Sequence, residues 1–228
     1  MMPAARESLL DAAFTALTRR PWSAVRMVDV AAAAGVSRQT LYNEFGGKDG
    51  LARALVRREA DGYLAGIERA LAGSSDARDR LTATAEWTTA VARDNALVRA
   101  MLTGCWSERL PTPPSAAPTL ASAVPAQRRA DAPLPTPGDF VAIVRDRAVA
   151  ALSAPGAHLT DPAELARACE LVVRLALSCV AAPPAEGAVA PLIHGALRRH
   201  PVGPHSGGYE APCDGTPGTG FQCAEPES

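Results

Sequence analysis

Apolar residues in this chain recur at spacings of three and four, segment after segment, and only a helix brings such positions onto one face. Leu10, Ala13, Phe14 and Leu17 keep the spacing near one end, and Leu165, Ala168, Val172, Leu175 and Cys179 keep it near the other. Composition points the same way, since 48 of the 228 residues are alanine and aromatics make up only 4%. Alanine has the best helix propensity and is depleted from strands. The expected fold class is therefore all-α, and an all-β chain or a long single-sheet enzyme is disfavoured. No run reaches the ~18 apolar residues of a membrane helix, and no signal-peptide pattern opens the chain, so a cytoplasmic location is expected. Five cysteines, an odd number without a C-x-x-C pair, suggest free thiols rather than disulfides or a zinc motif.

Glycines, prolines and capping residues divide the chain into elements. A first helix over residues 7 to 17 ends before Pro21. A short one follows over 28 to 34, then Gly35, then a third that Ser37 is placed to cap and that Gly46 and Gly47 stop near residue 44. A long fourth helix runs from 48 to about 71, with Leu51, Leu55, Ala60, Leu64, Ile67 and Leu71 inward. Residues 79 to 103 read as two helices broken near Asp94 and Asn95. Eight prolines between 111 and 137 predict a mobile loop. A helical pattern resumes over 140 to 152, and Asp161, Pro162 and Glu164 signal the start of a helix running to about 182. That helix is apolar nearly all round beyond Leu171 and needs neighbours on every face. A last helix over 187 to 200 is one candidate, and a second copy of the chain is another. Five prolines and six glycines after residue 200 predict a disordered tail over 201–228. The expected domains are 1–47 and 48–200.

Charge is uneven. The whole chain is formally −1, yet residues 1 to 60 hold nine basic and six acidic residues. The basic end contains the most informative segment, VDVAAAAGVSRQTLYNEFGGK over 28 to 48. Two short helices with a glycine at their corner make a helix-turn-helix. Val30, Ala33 and Val36 are expected to hold the two together, with Leu41 and Phe45 anchoring the second. Arg38, Gln39, Thr40, Tyr42 and Asn43 then face outward. Arg suits guanine O6 and N7, while Gln and Asn suit adenine N6 and N7; Thr40, Tyr42 and Lys48 suit phosphates.

Leu10, Ala12, Ala13, Phe14, Val30, Ala31, Ala34, Gly35, Val36, Ser37, Thr40, Leu41, Tyr42, Phe45, Lys48 and Leu51 carry a resemblance to the DNA-binding domain of the TetR family of bacterial transcriptional repressors. It covers about residues 6 to 58. The resemblance implies an all-α homodimer. A three-helix N-terminal DNA-binding domain joins a C-terminal helical ligand-binding and dimerisation domain through the long fourth helix. It implies binding to a palindromic operator in double-stranded DNA and release by an inducer. Arg26, Ser37, Arg38, Gln39, Thr40, Tyr42, Asn43 and Lys48 become the candidate DNA contacts. The chain departs from the family pattern at Arg26, at Glu44 and at the Gly46–Gly47 pair. Arg26 still suits a phosphate. Glu44 is expected to point away from the backbone of DNA, where a carboxylate is repelled, or to accept from a cytosine amine.

Trp87, Met101, Trp106 and Phe140 are candidates to line a cavity for a hydrophobic small molecule, against the plainer reading as core. Arg174 is a candidate partner for an anionic inducer, against a simple pair with Glu170 one turn away. Leu165, Val172, Leu175, Cys179, Leu192 and Leu197 are the candidate dimer contacts. No catalytic constellation, cofactor motif or metal-ligand spacing stands out, so no enzyme activity, cofactor or metal is expected. The competing reading is a helical small-molecule-binding protein with a vestigial DNA-binding domain, favoured by Glu44, the glycine pair and the modest basic excess.

Overall fold

The computed structural model describes residues 3–74, 76–111, 134–153, 161–184 and 188–199. Three helices, α1 (Pro3–Arg19), α2 (Met27–Ala33) and α3 (Arg38–Phe45), form an N-terminal unit. A single 3-10 turn at Trp22–Ala24 joins the first two. The long α4 (Lys48–Ala72) follows, then α5 (Ala77–Asp94), α6 (Ala96–Thr103), α7 (Pro137–Leu152), α8 (Pro162–Ala181) and α9 (Ala190–Arg199). No strand occurs among the described residues, which makes the fold all-α. No described helix is long and apolar enough to cross a membrane.

Each boundary has a local cause. Gly35 turns the chain between α2 and α3 at φ +68°, a conformation that costs an L side chain roughly 1 kcal/mol or more. Ser37 accepts from the Thr40 amide at 3.0 Å and caps α3. Asn95 ends α5 and caps α6, accepting from the Leu97 and Val98 amides, while its own amide donates to Glu59 on α4 at 2.7 Å. Asp161 caps α8 through the Ala163 amide, with Pro162 at the first helical position. The proline-rich stretch ends earlier than its composition suggests. Thr136 and Asp139 form a reciprocal capping box, so Pro137 begins α7 instead of belonging to a loop. Residues 112–133 of the expected loop and the expected tail over 201–228 lie outside the described residues.

The core runs unbroken from Leu9 and Leu10 on α1 to Leu197 on α9. Helix α4 threads it, packing on α1 and α3 at one end and on α5, α6 and α7 further along. Tyr63, midway along α4, is 1% exposed and gathers its surroundings. Its hydroxyl lies 3.2 Å from that of Thr88, its ring meets Phe140 edge to face at 5.9 Å, and its carbonyl accepts from the Trp87 indole at 3.1 Å. Burial pushes the Tyr63 phenol up to about 12, although the Thr88 contact opposes the shift. The other buried hydroxyls, on Thr82 and Thr84, donate back to carbonyls one turn earlier at 2.9 Å, so each has the partner that burial demands.

Helix α8 has neighbours on several faces within its own chain. It packs against α5, α7, α9 and α6 of its own chain. Leu165, Val172 and Cys179, together with Leu197 on α9, are buried in that packing instead of facing outward. Of the six expected dimer contacts, Leu192 is 47% exposed and Leu175 half-buried. The reason is the width of the α8 stripe, which α5 and α7 occupy from two sides.

Gly66 is a position where side-chain absence is required. It sits inside α4, where glycine costs ~1 kcal/mol against alanine, because a Cβ there would stand 2.0 Å from the Trp87 ring. Gly66→Ala is expected to destabilise the chain by about 1–3 kcal/mol through overpacking, and Gly66→Ala with Trp87→Leu to recover part of that. Thermal unfolding followed by circular dichroism reads both; a Gly66→Ala variant as stable as the parent would refute the packing assignment.

Candidate nucleic-acid interface

The outward face of α3 is set by what its other side buries. Leu41 is fully buried and Phe45 is 8% exposed. These two residues, one turn apart, fix the rotation of the helix against α2 and α4. Arg38, Gln39, Tyr42 and Asn43 consequently stand exposed, with Thr40 half-buried beside the Ser37 cap. The seam between α2 and α3 uses Val30, Ala31, Ala34 and Val36. Ala33, expected in that seam, is exposed; Gly35 turns the chain so that Ala34 takes its place.

The exposed side chains are already ordered relative to one another. The Gln39 amide donates to Asn43 Oδ1 at 2.7 Å, leaving Gln39 Oε1 as an acceptor and the Asn43 amide as a donor. The Arg38 guanidinium lies 5.6 Å from the centre of the Tyr42 ring, a cation–π distance. Both pairs are four residues apart, so each follows from helical geometry. The Ser37 and Thr40 hydroxyls lie 2.8 Å apart.

Two flanking cations complete the surface. Arg26 is exposed at the N-cap of α2, with its side chain taking no part in the cap. Lys48 opens α4. Its ammonium donates to the Ser23 carbonyl at 3.0 Å and sits 5.6 Å from the centre of the Trp22 ring. That leaves ammonium protons for another acceptor, because Lys carries three donors.

Glu44 turns away from this surface. Its carboxylate accepts from Arg6 on α1 at 2.5 Å and is only 14% exposed, while the same guanidinium lies 5.0 Å from the centre of the Phe45 ring. Arg6 thereby ties the end of α3 to α1 and cancels the charge that would oppose an anion. Nothing in local spacing announces a partner 38 residues away, and sequence reading missed it. It also missed a main-chain bond from the Trp22 N–H to the Arg109 carbonyl at 2.8 Å, which joins the N-terminal unit to the segment after α6.

The remaining candidates are dispersed. Trp87, Met101 and Phe140 belong to the packed interior, the first and last meeting at Tyr63, and Trp106 is half-buried beyond α6. Arg174 stands apart from all four. It is exposed on α8 and pairs with Glu170 at 2.7 Å, the plainer of its two readings; this pair and Arg145 hold the Glu170 carboxyl below its ordinary range. Burial pushes the Cys169 thiol up to about 12 and raises that of Cys179, so neither offers a thiolate. Among the described residues no group of three or more His, Cys, Asp or Glu is placed to hold a metal ion.

Comparison with known proteins converges on this N-terminal surface. The family model described as bacterial regulatory proteins, tetR family, matches residues 9–55. The HTH-type transcriptional regulator AlkX of Mycobacterium tuberculosis is 48% identical over 66 residues, 29% of this chain and 31% of that protein. The HTH-type transcriptional activator FasR of Mycolicibacterium smegmatis is 37% identical over 81 residues, 36% of this chain and 37% of its own length. The chain thus spans about a third of the length of the curated relatives it matches. In fold, it resembles the crystal structure of a putative TetR-family transcriptional regulator from Rhodococcus sp., with a TM-score of 0.52 and 24% identity over 87% of this chain and 99% of that one. On these matches, residues 9–55, where α1 to α4 build the helix-turn-helix, carry the DNA-binding domain type of the TetR family of bacterial regulatory proteins.

Proposed function

We propose that the chain is a DNA-binding transcriptional regulator, acting as a dimer on a palindromic operator and released from it by a hydrophobic small molecule. The observation that carries the reading is the exposed row Arg38, Gln39, Tyr42 and Asn43 on a helix held from behind by Leu41 and Phe45. Such a row enters a major groove with its donors and acceptors presented to base edges. Arg38 would read guanine, and the bonded Gln39–Asn43 pair would read adenine as one unit. Lys48, Arg26, Ser37, Thr40 and Tyr42 would hold phosphates and fix register. Glu44 ceases to argue for a vestigial domain, because Arg6 neutralises it.

A dimer would bring two recognition helices to half-sites about one DNA turn, ~34 Å, apart. Leu175 and Leu192 are the apolar groups left for that contact on α8 and α9. The inducer would have to open the helical body between α4, α5 and α7, because Trp87 and Phe140 pack directly against Tyr63 there. Repression is the regulatory sense proposed. The domains follow as 1–47 for DNA and 48–200 for ligand and dimer.

Mobility shift against duplexes from the chain's own promoter region, beside random duplex and at two salt concentrations, tests the reading. A specific, salt-sensitive shift is expected, and no shift at low salt would favour the vestigial domain. Lys48→Ala should weaken operator and random DNA alike and lower the salt slope by about one. Arg38→Ala should cost discrimination at a single base pair, by about 1–3 kcal/mol. Gln39→Ala and Asn43→Ala should each lose most of what the double variant loses, since they share one bond. Equal losses on both DNAs for Arg38, Gln39 and Asn43 would overturn the base-reading assignment.

A further inference from the structure

Away from the helix-turn-helix, a cavity of about 90 Å³ opens where the last turn of α5, the first turns of α6 and the end of α8 converge. Its polar wall contains Thr89, Arg93 and Arg99; Ala92, Cys179 and Pro184 belong to the apolar one. Ala92 is 1% and Cys179 8% exposed, so the apolar wall is continuous with the core.

Four arginines elsewhere in the body have partners. Arg147 pairs with Glu68 at 2.7 Å, Arg145 with Asp146 at 2.8 Å and Arg174 with Glu170 at 2.7 Å, and Arg80 donates to the carbonyls of Ser74 and Ala151. Arg93 and Arg99 make no ion pair or side-chain hydrogen bond among the described residues, although Asp94 lies next to Arg93 in sequence. Arg99 also stands one turn into α6, where the helix macrodipole is positive and a cation is disfavoured. Two guanidinium groups that pair with no described residue therefore stand on one side of a cavity whose other side is apolar. The Thr89 hydroxyl is engaged, donating to the carbonyls of Ala85 and Glu86.

We infer that this cavity is a binding site for the anionic head of a small amphiphile, a carboxylate or phosphate held by Arg93 and Arg99 with the adjoining carbons against Ala92, Cys179 and Pro184. The guanidinium fork matches both oxyanions in a bidentate manner. At about 90 Å³ and open to solvent, the cavity admits the head and the first carbons. The site is separate from the interior around Tyr63 and stands or falls independently of DNA binding.

Titration calorimetry on the full chain at fixed ionic strength tests it with four probes: hexanoate, hexyl phosphate, inorganic phosphate and hexylamine. Hexanoate or hexyl phosphate should bind at one site, more tightly than inorganic phosphate, and the tighter of the two identifies the head group. Arg93→Gln and Arg99→Gln should each weaken that binding at least tenfold. Both positions are exposed, and unchanged melting temperatures without probe will confirm that the variants fold. Binding of hexylamine as tight as that of hexanoate, retention of affinity in the double variant, or no binding of either anionic amphiphile would overturn the proposal.

Discussion

Everything in the molecule hangs on the burial of one helix along its whole length. Leu51, Leu55 and Val56 of α4 belong to the core of the N-terminal unit, and Tyr63, Ile67 and Leu71 belong to the core of the helical body. A helix that contributes apolar residues to two packed regions cannot rotate or slide without disturbing both, because interiors are packed at crystal-like density. The polar contacts along it act in the same sense. Arg58 reaches Asp11 on α1 at 2.6 Å, and Glu59 beside it accepts from Asn95 at the α5–α6 junction. Adjacent residues of α4 thus tie α1 and the α5–α6 junction to the same turn of the helix.

The candidate interface depends on the same constraint at one remove. Helix α3 has only eight residues, too few to be stable alone, and its orientation comes from Leu41 and Phe45 seated against neighbours that α4 positions. Its capping serine, left-handed Gly46 and ion-paired Glu44 close its ends and its charge. What remains exposed is a small set of side chains whose chemistry is directional, and two of the contacts among them are formed before any partner arrives.

How much of this was legible in the sequence follows from the range of the interactions. The helices were readable because their signals are local: Ser37, Asn95 and Asp161 each satisfy amides within three residues, and apolar spacing marks one face. The exposed row of α3 was readable for the same reason. Arg6 with Glu44 was not, since nothing in either residue's surroundings specifies the other. The expected dimer stripe raises a related point. Spacing identifies Val172 and Cys179 as apolar-face residues, but it cannot say whether that face meets another chain or, as here, α5 and α7. Trp87 and Phe140 are similar cases, identified as inward by pattern and given their common neighbour, Tyr63, only by the fold.

The bond from the Trp22 N–H to the Arg109 carbonyl has an implication for how such a junction is inherited. Both atoms are main chain, so nineteen residue types at position 22 and all twenty at position 109 supply the same groups. A side-chain scan of either position would leave the donor and acceptor in place, and the two sites have no chemical reason to vary together. Only proline at position 22 removes the donor, and only a change in the length or path of the segment after α6 withdraws the acceptor. The join between the two halves of the molecule is therefore recorded in chain geometry, where drift in side-chain identity leaves it intact and insertions or deletions do not.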